Sequence, residues 1–195
     1  MSVWAIIPLR ATPESKSRLA GVLDETARAE LVDAMLTRVL DAARGARNVE
    51  EVRLIGSART ILDDVMIMVD PGQGLNAAAA AALAAADGRA SRLIVIHGDL
   101  PLVTARDLEL LAAAPEGEIA IAPDRHGTGT NAISLPLPAA RGFSFAFGTD
   151  SFALHNAEAG RMGLRISEIH SPGLSRDVDE PEDLSDAADL LKPAS

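Results

Sequence analysis

The stretch Arg92-Leu-Ile-Val-Ile-His97-Gly-Asp99-Leu-Pro101 decides the fold. Arg92 to His97 reads as one strand, apolar through Leu-Ile-Val-Ile. Such a run suits a parallel sheet covered on both faces. Gly98 and Asp99 follow directly, and Pro101 blocks simple continuation. The Asp99 carboxylate therefore falls at a strand's carboxyl end, where open α/β sheets bind ligands. Mg²⁺ takes hard oxygen ligands, often one or two carboxylates plus substrate phosphate. A turn aspartate bonded to its own backbone is the competing reading.

Outward from this strand, short apolar runs alternate with helical stretches. Val3 to Leu9, Glu51 to Gly56 and Val65 to Val69 read as earlier strands. Glu118 to Ala122, Asn131 to Leu137 and Leu164 to Ile169 read as later ones. Thr26 to Arg44 carries Leu31, Met35, Val39 and Ala42 at helical spacing. Gly74 to Ala86 is alanine-dense, and alanine is the best helix former. Thr104 is an N-cap candidate for a helix through Ala113. Pro181, followed by Glu182 and Asp183, opens a last helix. The expectation is one α/β domain over 1–195, with a mostly parallel, Rossmann-like sheet and helices on both faces.

Composition narrows the function. The chain has 195 residues, 48% apolar, with a formal charge of −10. A reader of nucleic-acid backbone is usually basic, and aromatic stacking platforms are scarce at 3%, so no nucleic-acid partner is expected. A polyphosphate substrate would need local Arg, Lys or bound cations here. Cysteine is absent, which excludes disulfides, thiolate metal sites and a cysteine nucleophile. The start lacks the basic segment and long apolar run of a signal peptide. No run approaches a membrane span of about 20 residues. A soluble, cytoplasmic protein is expected.

Four further segments carry chemistry. In Asp177-Val178-Asp179, an extended backbone turns both carboxylates to one side and Val178 to the core. Paired carboxylates repel unless a cation lies between them. An acidic loop capping the last helix is the alternative. In Pro8-Leu9-Arg10 through Arg18, the residues Arg10, Lys16 and Arg18 gather positive charge after the first strand. That position commonly receives phosphates. The segment is not a P-loop, and there is no Gly-x-Gly-x-x-Gly fingerprint. In Asp124-Arg-His-Gly-Thr-Gly-Thr130-Asn131, backbone amides and hydroxyls suit an anion. His126 reads as a surface histidine rather than a base. In Phe147-Gly148-Thr-Asp-Ser151, a glycine precedes a helix whose free amides suit phosphate or carboxylate. Simple capping competes with that reading.

In this order, the segments resemble the 2-phospho-L-lactate guanylyltransferase family of deazaflavin coenzyme F-420 biosynthesis. The resemblance spans nearly the whole chain. It is carried by Lys16-Ser-Arg-Leu-Ala, Gly74-Leu-Asn76, Gly98-Asp-Leu-Pro, Arg125-His-Gly-Thr-Gly-Thr-Asn-Ala, Phe147-Gly-x-x-Ser151 and Pro172-Gly-Leu-x-x-Asp-Val-Asp-x-Pro. It implies a nucleotide-diphospho-sugar-transferase-like fold and a Mg²⁺ site of Asp99, Asp177 and Asp179. It also implies an acceptor site at Thr130, Gly148 and Ser151. Nucleotide contacts are expected from Pro8, Lys16, Arg18, Gly74, Asn76 and Asp99, with Asp99, Lys16 and Arg18 catalytic. The substrates implied are GTP and 2-phospho-L-lactate, phosphoenolpyruvate or 3-phosphoglycerate. A homodimer is compatible with it. This chain departs from the family at Leu9-Arg10, where a lysine is common. Alternatives are a nucleotidyltransferase of the molybdenum-cofactor type, whose glycine-rich loop is missing here, and a non-catalytic GTP-binding module.

Overall fold

The computed structural model describes residues 2–9, 16–56 and 65–191. Arg10 lies outside the described residues. One seven-stranded sheet runs in the order β3-β2-β1-β4-β6-β5-β7. The strands are β1 (Val3–Leu9), β2 (Glu51–Gly56), β3 (Met66–Met68), β4 (Arg92–Ile96), β5 (Glu118–Pro123), β6 (Thr130–Pro136) and β7 (Arg165–Glu168). Neighbours are parallel except around β6, which is antiparallel to both β4 and β5. β4, the strand read first, is buried along its whole length.

Alternation along β1 shows how the faces are covered. Val3, Ala5, Ile7 and Leu9 pack with helices α1 (Glu25–Gly45) and α3 (Ala105–Ala112). Trp4 and Ile6 point the other way, toward α2 (Leu75–Ala86) and α4 (Ser151–Arg161). Alternate residues of a strand must face opposite sides, so helices are needed on both. The alanines of α2 permit close approach: Ala79, Ala82 and Ala86 are fully buried. Thr104 does begin α3, its amide and hydroxyl bonding Asp107 Oδ2 at 2.8 and 2.7 Å.

Two local expectations change. The helix expected from Pro181 is only a 3-10 turn, Pro181–Ser185. Its start is nevertheless built as a helix start, with Asp183 accepting the Asp179 and Glu180 amides at 2.8 Å each. A short helix, α5 (Pro172–Ser175), capped by the Ser171 hydroxyl, was not anticipated. Among the described residues no helix is long and apolar enough to cross a membrane.

Candidate active site

The carboxyl ends of β1 and β4 open into a cleft of about 330 Å³. Pro8 and Leu9 end β1, and His97, Gly98 and Asp99 follow β4. Gly74 and Leu75 bring in the start of α2, while Leu36 and Ile55 give apolar lining. Lys16 and Asp179 close the polar side. Five expected site residues thus share one cleft: Pro8, Lys16, Gly74, Asp99 and Asp179.

Lys16 is the centre of charge there. Its Nζ donates to Asp99 Oδ2 and, at 2.8 Å, to Asp179 Oδ1. Burial alone would lower the Lys16 pKa, but the two carboxylates outweigh it and hold the ammonium firmly protonated. Burial likewise opposes ionisation of Asp99, and Lys16 overrides that, keeping the carboxylate below its ordinary range. Asp177 behaves oppositely. Burial, then the charges of Asp99 and Asp179, push its pKa up despite a hydrogen bond from Asn131 Nδ2 at 3.2 Å. Val178 between the aspartates is fully buried against Leu19, Leu31 and Met35, as the alternation required. The Lys16 backbone is left-handed, φ 57°, which costs about 1–2 kcal/mol in a non-glycine residue. The local fold tolerates that strain where the ammonium must reach two aspartates.

A second group of expected residues lies at the start of β6 and in the turn leading into α4. Thr130 is buried, with Oγ1 3.0 Å from His155 Nδ1. His155 Nε2 accepts the Ala146 amide at 2.9 Å, so Nδ1 carries the proton and donates to Thr130. Gly148 has φ 128°, accessible to glycine but strained for other residues. Its carbonyl accepts the amide of Ser151, the buried first residue of α4.

The loop before Thr130 differs from expectation. Its amides do not stand free for an anion. Asp124 accepts from the His126 amide at 3.1 Å, the Thr128 amide at 2.9 Å and the Thr128 hydroxyl at 3.3 Å. Gly129 passes so close that a Cβ there would sit 2.8 Å from Asp124 Oδ2. Arg125 pairs with buried Asp183. Arg18 does not line the cleft; its exposed guanidinium bonds Glu180 at 2.9 Å. Asn76 also has its amide engaged, with the Phe147 backbone at 2.7 and 3.2 Å.

This geometry joins an acidic strand end, a lysine and an apolar-walled cleft. Residues 3–188 match the family described as guanylyl transferase CofC-like. The chain belongs to that family. A phosphoenolpyruvate guanylyltransferase from Sphaerobacter thermophilus is 38% identical over 195 residues, covering 96% of this chain and 93% of that one. A 3-phospho-D-glycerate guanylyltransferase from Phenylobacterium zucineum is 32% identical over 203 residues, covering 94% and 88%. In structure, a Desulfovibrio desulfuricans protein assigned to the nucleotide-diphospho-sugar transferases superposes with a TM-score of 0.71. It is 18% identical, with 94% of this chain and 84% of that one covered. That likeness supports the fold class, and the family assignment makes the chain a guanylyltransferase.

Do the guanylyltransferase's residues suit a divalent cation? Asp99 Oδ1 is buried without a hydrogen-bond partner, and leaving a charged acceptor so is costly. Burial, and after it the charges of Asp99 and Asp179, also push the Asp177 pKa up. Both observations fit a cation-seeking donor set of hard oxygens. Among the described residues no ready-made cluster of three such ligands stands together. The Lys16 ammonium meanwhile neutralises two of the three aspartates.

Three contributors escaped sequence reasoning. Asn131 ties Asp177 to the Leu174 carbonyl through one amide nitrogen. His97 lines the cleft, its Nε2 buried and unpartnered and its ring 5.2 Å from that of Phe147. Its i, i+2 relation to Asp99 was the available signal. Asp70 also lines the cleft, and nothing in its local sequence marked it.

Proposed function

We propose that this guanylyltransferase joins GMP from GTP to the phosphate of a small phosphorylated acid, in the route to coenzyme F-420. The observation that carries the reading is the Lys16 bridge between Asp99 and Asp179 in the cleft. GTP would lie in this cleft, with its base and ribose along the wall of Leu36, Ile55 and Leu75 and its phosphates toward Lys16. Lys16 would neutralise charge on the triphosphate and on departing pyrophosphate, with Arg18 contributing from the rim. Asp99, Asp177 and Asp179 would hold Mg²⁺, which supplies charge neutralisation at phosphate oxygens.

An oxygen of the acceptor phosphate attacks the α-phosphorus in line. The bond to the β-phosphate's bridging oxygen breaks, and pyrophosphate leaves with that electron pair. The attacking phosphate is anionic at neutral pH, so no general base is required. Catalysis is then positioning and charge neutralisation. Thr130, Gly148 and Ser151 would frame the acceptor. The acids named for the Sphaerobacter and Phenylobacterium relatives, phosphoenolpyruvate and 3-phosphoglycerate, are the first to try, with 2-phospho-L-lactate beside them. The test is product identification by mass after incubation with GTP, Mg²⁺ and each acid. A guanylyl diphosphate of one acid, with equimolar pyrophosphate, is expected. No such product with any of the three would overturn the proposal.

A further inference from the structure

Asn76 is the second residue of α2, whose first turn lines the nucleotide cleft. Its side chain points away from that task. Oδ1 accepts the Phe147 amide at 2.7 Å and Nδ2 donates to the Phe147 carbonyl at 3.2 Å. A side-chain amide that satisfies both backbone groups of one residue fixes that residue's position and orientation together. Phe147 directly precedes Gly148. Its ring is held separately, 5.2 Å from His97, 4.9 Å from His155 and stacked 5.7 Å from Phe145. His155 in turn holds Thr130. One short segment is thus clamped between the strand end carrying Asp99, the start of α2 and the pair His155–Thr130.

We propose that Asn76 is a positioning residue for the acceptor half of the site, acting through the Phe147 backbone, and not a contact to the nucleotide. This rests on the acceptor reading of Thr130, Gly148 and Ser151 above. The Phe147 ring contacts do not involve Asn76, so truncating Asn76 should release the backbone while the ring keeps the loop packed.

The test is steady-state kinetics with GTP and the accepted acid, plus calorimetric titration of phosphoenolpyruvate and 3-phosphoglycerate in the presence of Mg²⁺. Asn76→Ala should raise KM and the dissociation constant for the acid about tenfold, as expected for two lost hydrogen bonds. KM for GTP should stay within about twofold. A general loss of structure would instead move both together. Asn76→Asp guards against misfolding, because a carboxylate suits the first turn of a helix. It keeps the bond from the Phe147 amide, loses the other, and should lie between wild type and Asn76→Ala. Wild-type acid affinity in both variants, or a rise confined to KM for GTP, would overturn the inference alone. Wild-type protein that binds neither acid nor 2-phospho-L-lactate would overturn the acceptor reading and this inference with it.

Discussion

Lys16 Nζ lies 2.8 Å from Asp179 Oδ1, two side chains separated by 163 positions in the sequence. The same ammonium bonds Asp99. Removing it leaves the half-buried Asp99 carboxylate, whose Oδ1 has no hydrogen-bond partner, unneutralised. Lys16→Met should therefore lower stability by about 1–3 kcal/mol in urea unfolding without divalent metal, discounted for the exposure of Asp179. Turnover should fall about 10²–10³-fold. Added Mg²⁺ should stabilise the variant more than the wild type, because it replaces the missing charge. Equal stabilisation of both would count against a metal among these aspartates.

Asp177 offers a separation of stability from function. Burial and two like charges push its pKa up, so its ionised form strains the metal-free fold. Asp177→Asn should leave the metal-free protein as stable as wild type or more stable, by up to about 1 kcal/mol, while abolishing turnover. Thermal unfolding without metal, beside pyrophosphate release with it, checks both parts. A strongly destabilised variant would give Asp177 a structural role.

His155 predicts a pH dependence. Burial, helped by the nearby charge of His97, lowers its pKa from 6.5 to about 4. Between these values the unfolded chain binds a proton that the folded chain does not. Stability must then rise with pH across that window, and is lost as pH falls through it. The contribution is about 3 kcal/mol between pH 7 and pH 4. Urea unfolding at a series of pH values should show His155→Gln losing less stability than wild type by roughly that amount. Parallel profiles would refute the assignment.

Asp124 and Gly129 should be energetically coupled. Gly129→Ala alone places a methyl 2.8 Å from Asp124 Oδ2 and should cost about 1–3 kcal/mol. Asp124→Ala removes the partner of two amides and a hydroxyl. The double variant should then be less destabilised than the sum of the singles, since the clash has lost its second atom. Strict additivity in thermal unfolding would mean the loop relaxes independently of Asp124.

Periodicity made much of the fold legible. The apolar run ending at Ile96, the helical spacing of Leu31, Met35 and Val39, and the inward turn of Val178 all follow from which faces must be covered. The aspartate at the strand end followed from Pro101. Polar partners were less accessible. Local pattern says that Asp124, Asn76 and Lys16 are polar, not where their hydrogen bonds go. Asn76 reaches a residue 71 positions away and Lys16 one 163 away. The start at Pro181 was legible, since Asp183 accepts the Asp179 and Glu180 amides as a helix start requires, but the start signal does not say that only a 3-10 turn follows. The antiparallel setting of β6 is equally invisible locally, because a buried strand has the same pattern in either direction.

The most direct test is pyrophosphate release from GTP by wild type and Asp99→Asn, with and without Mg²⁺ and the phosphorylated acid. Release is expected only when wild-type protein, Mg²⁺ and one of the three acids are all present. Release without the acid or without the metal, or undiminished release by Asp99→Asn, would contradict the proposed function.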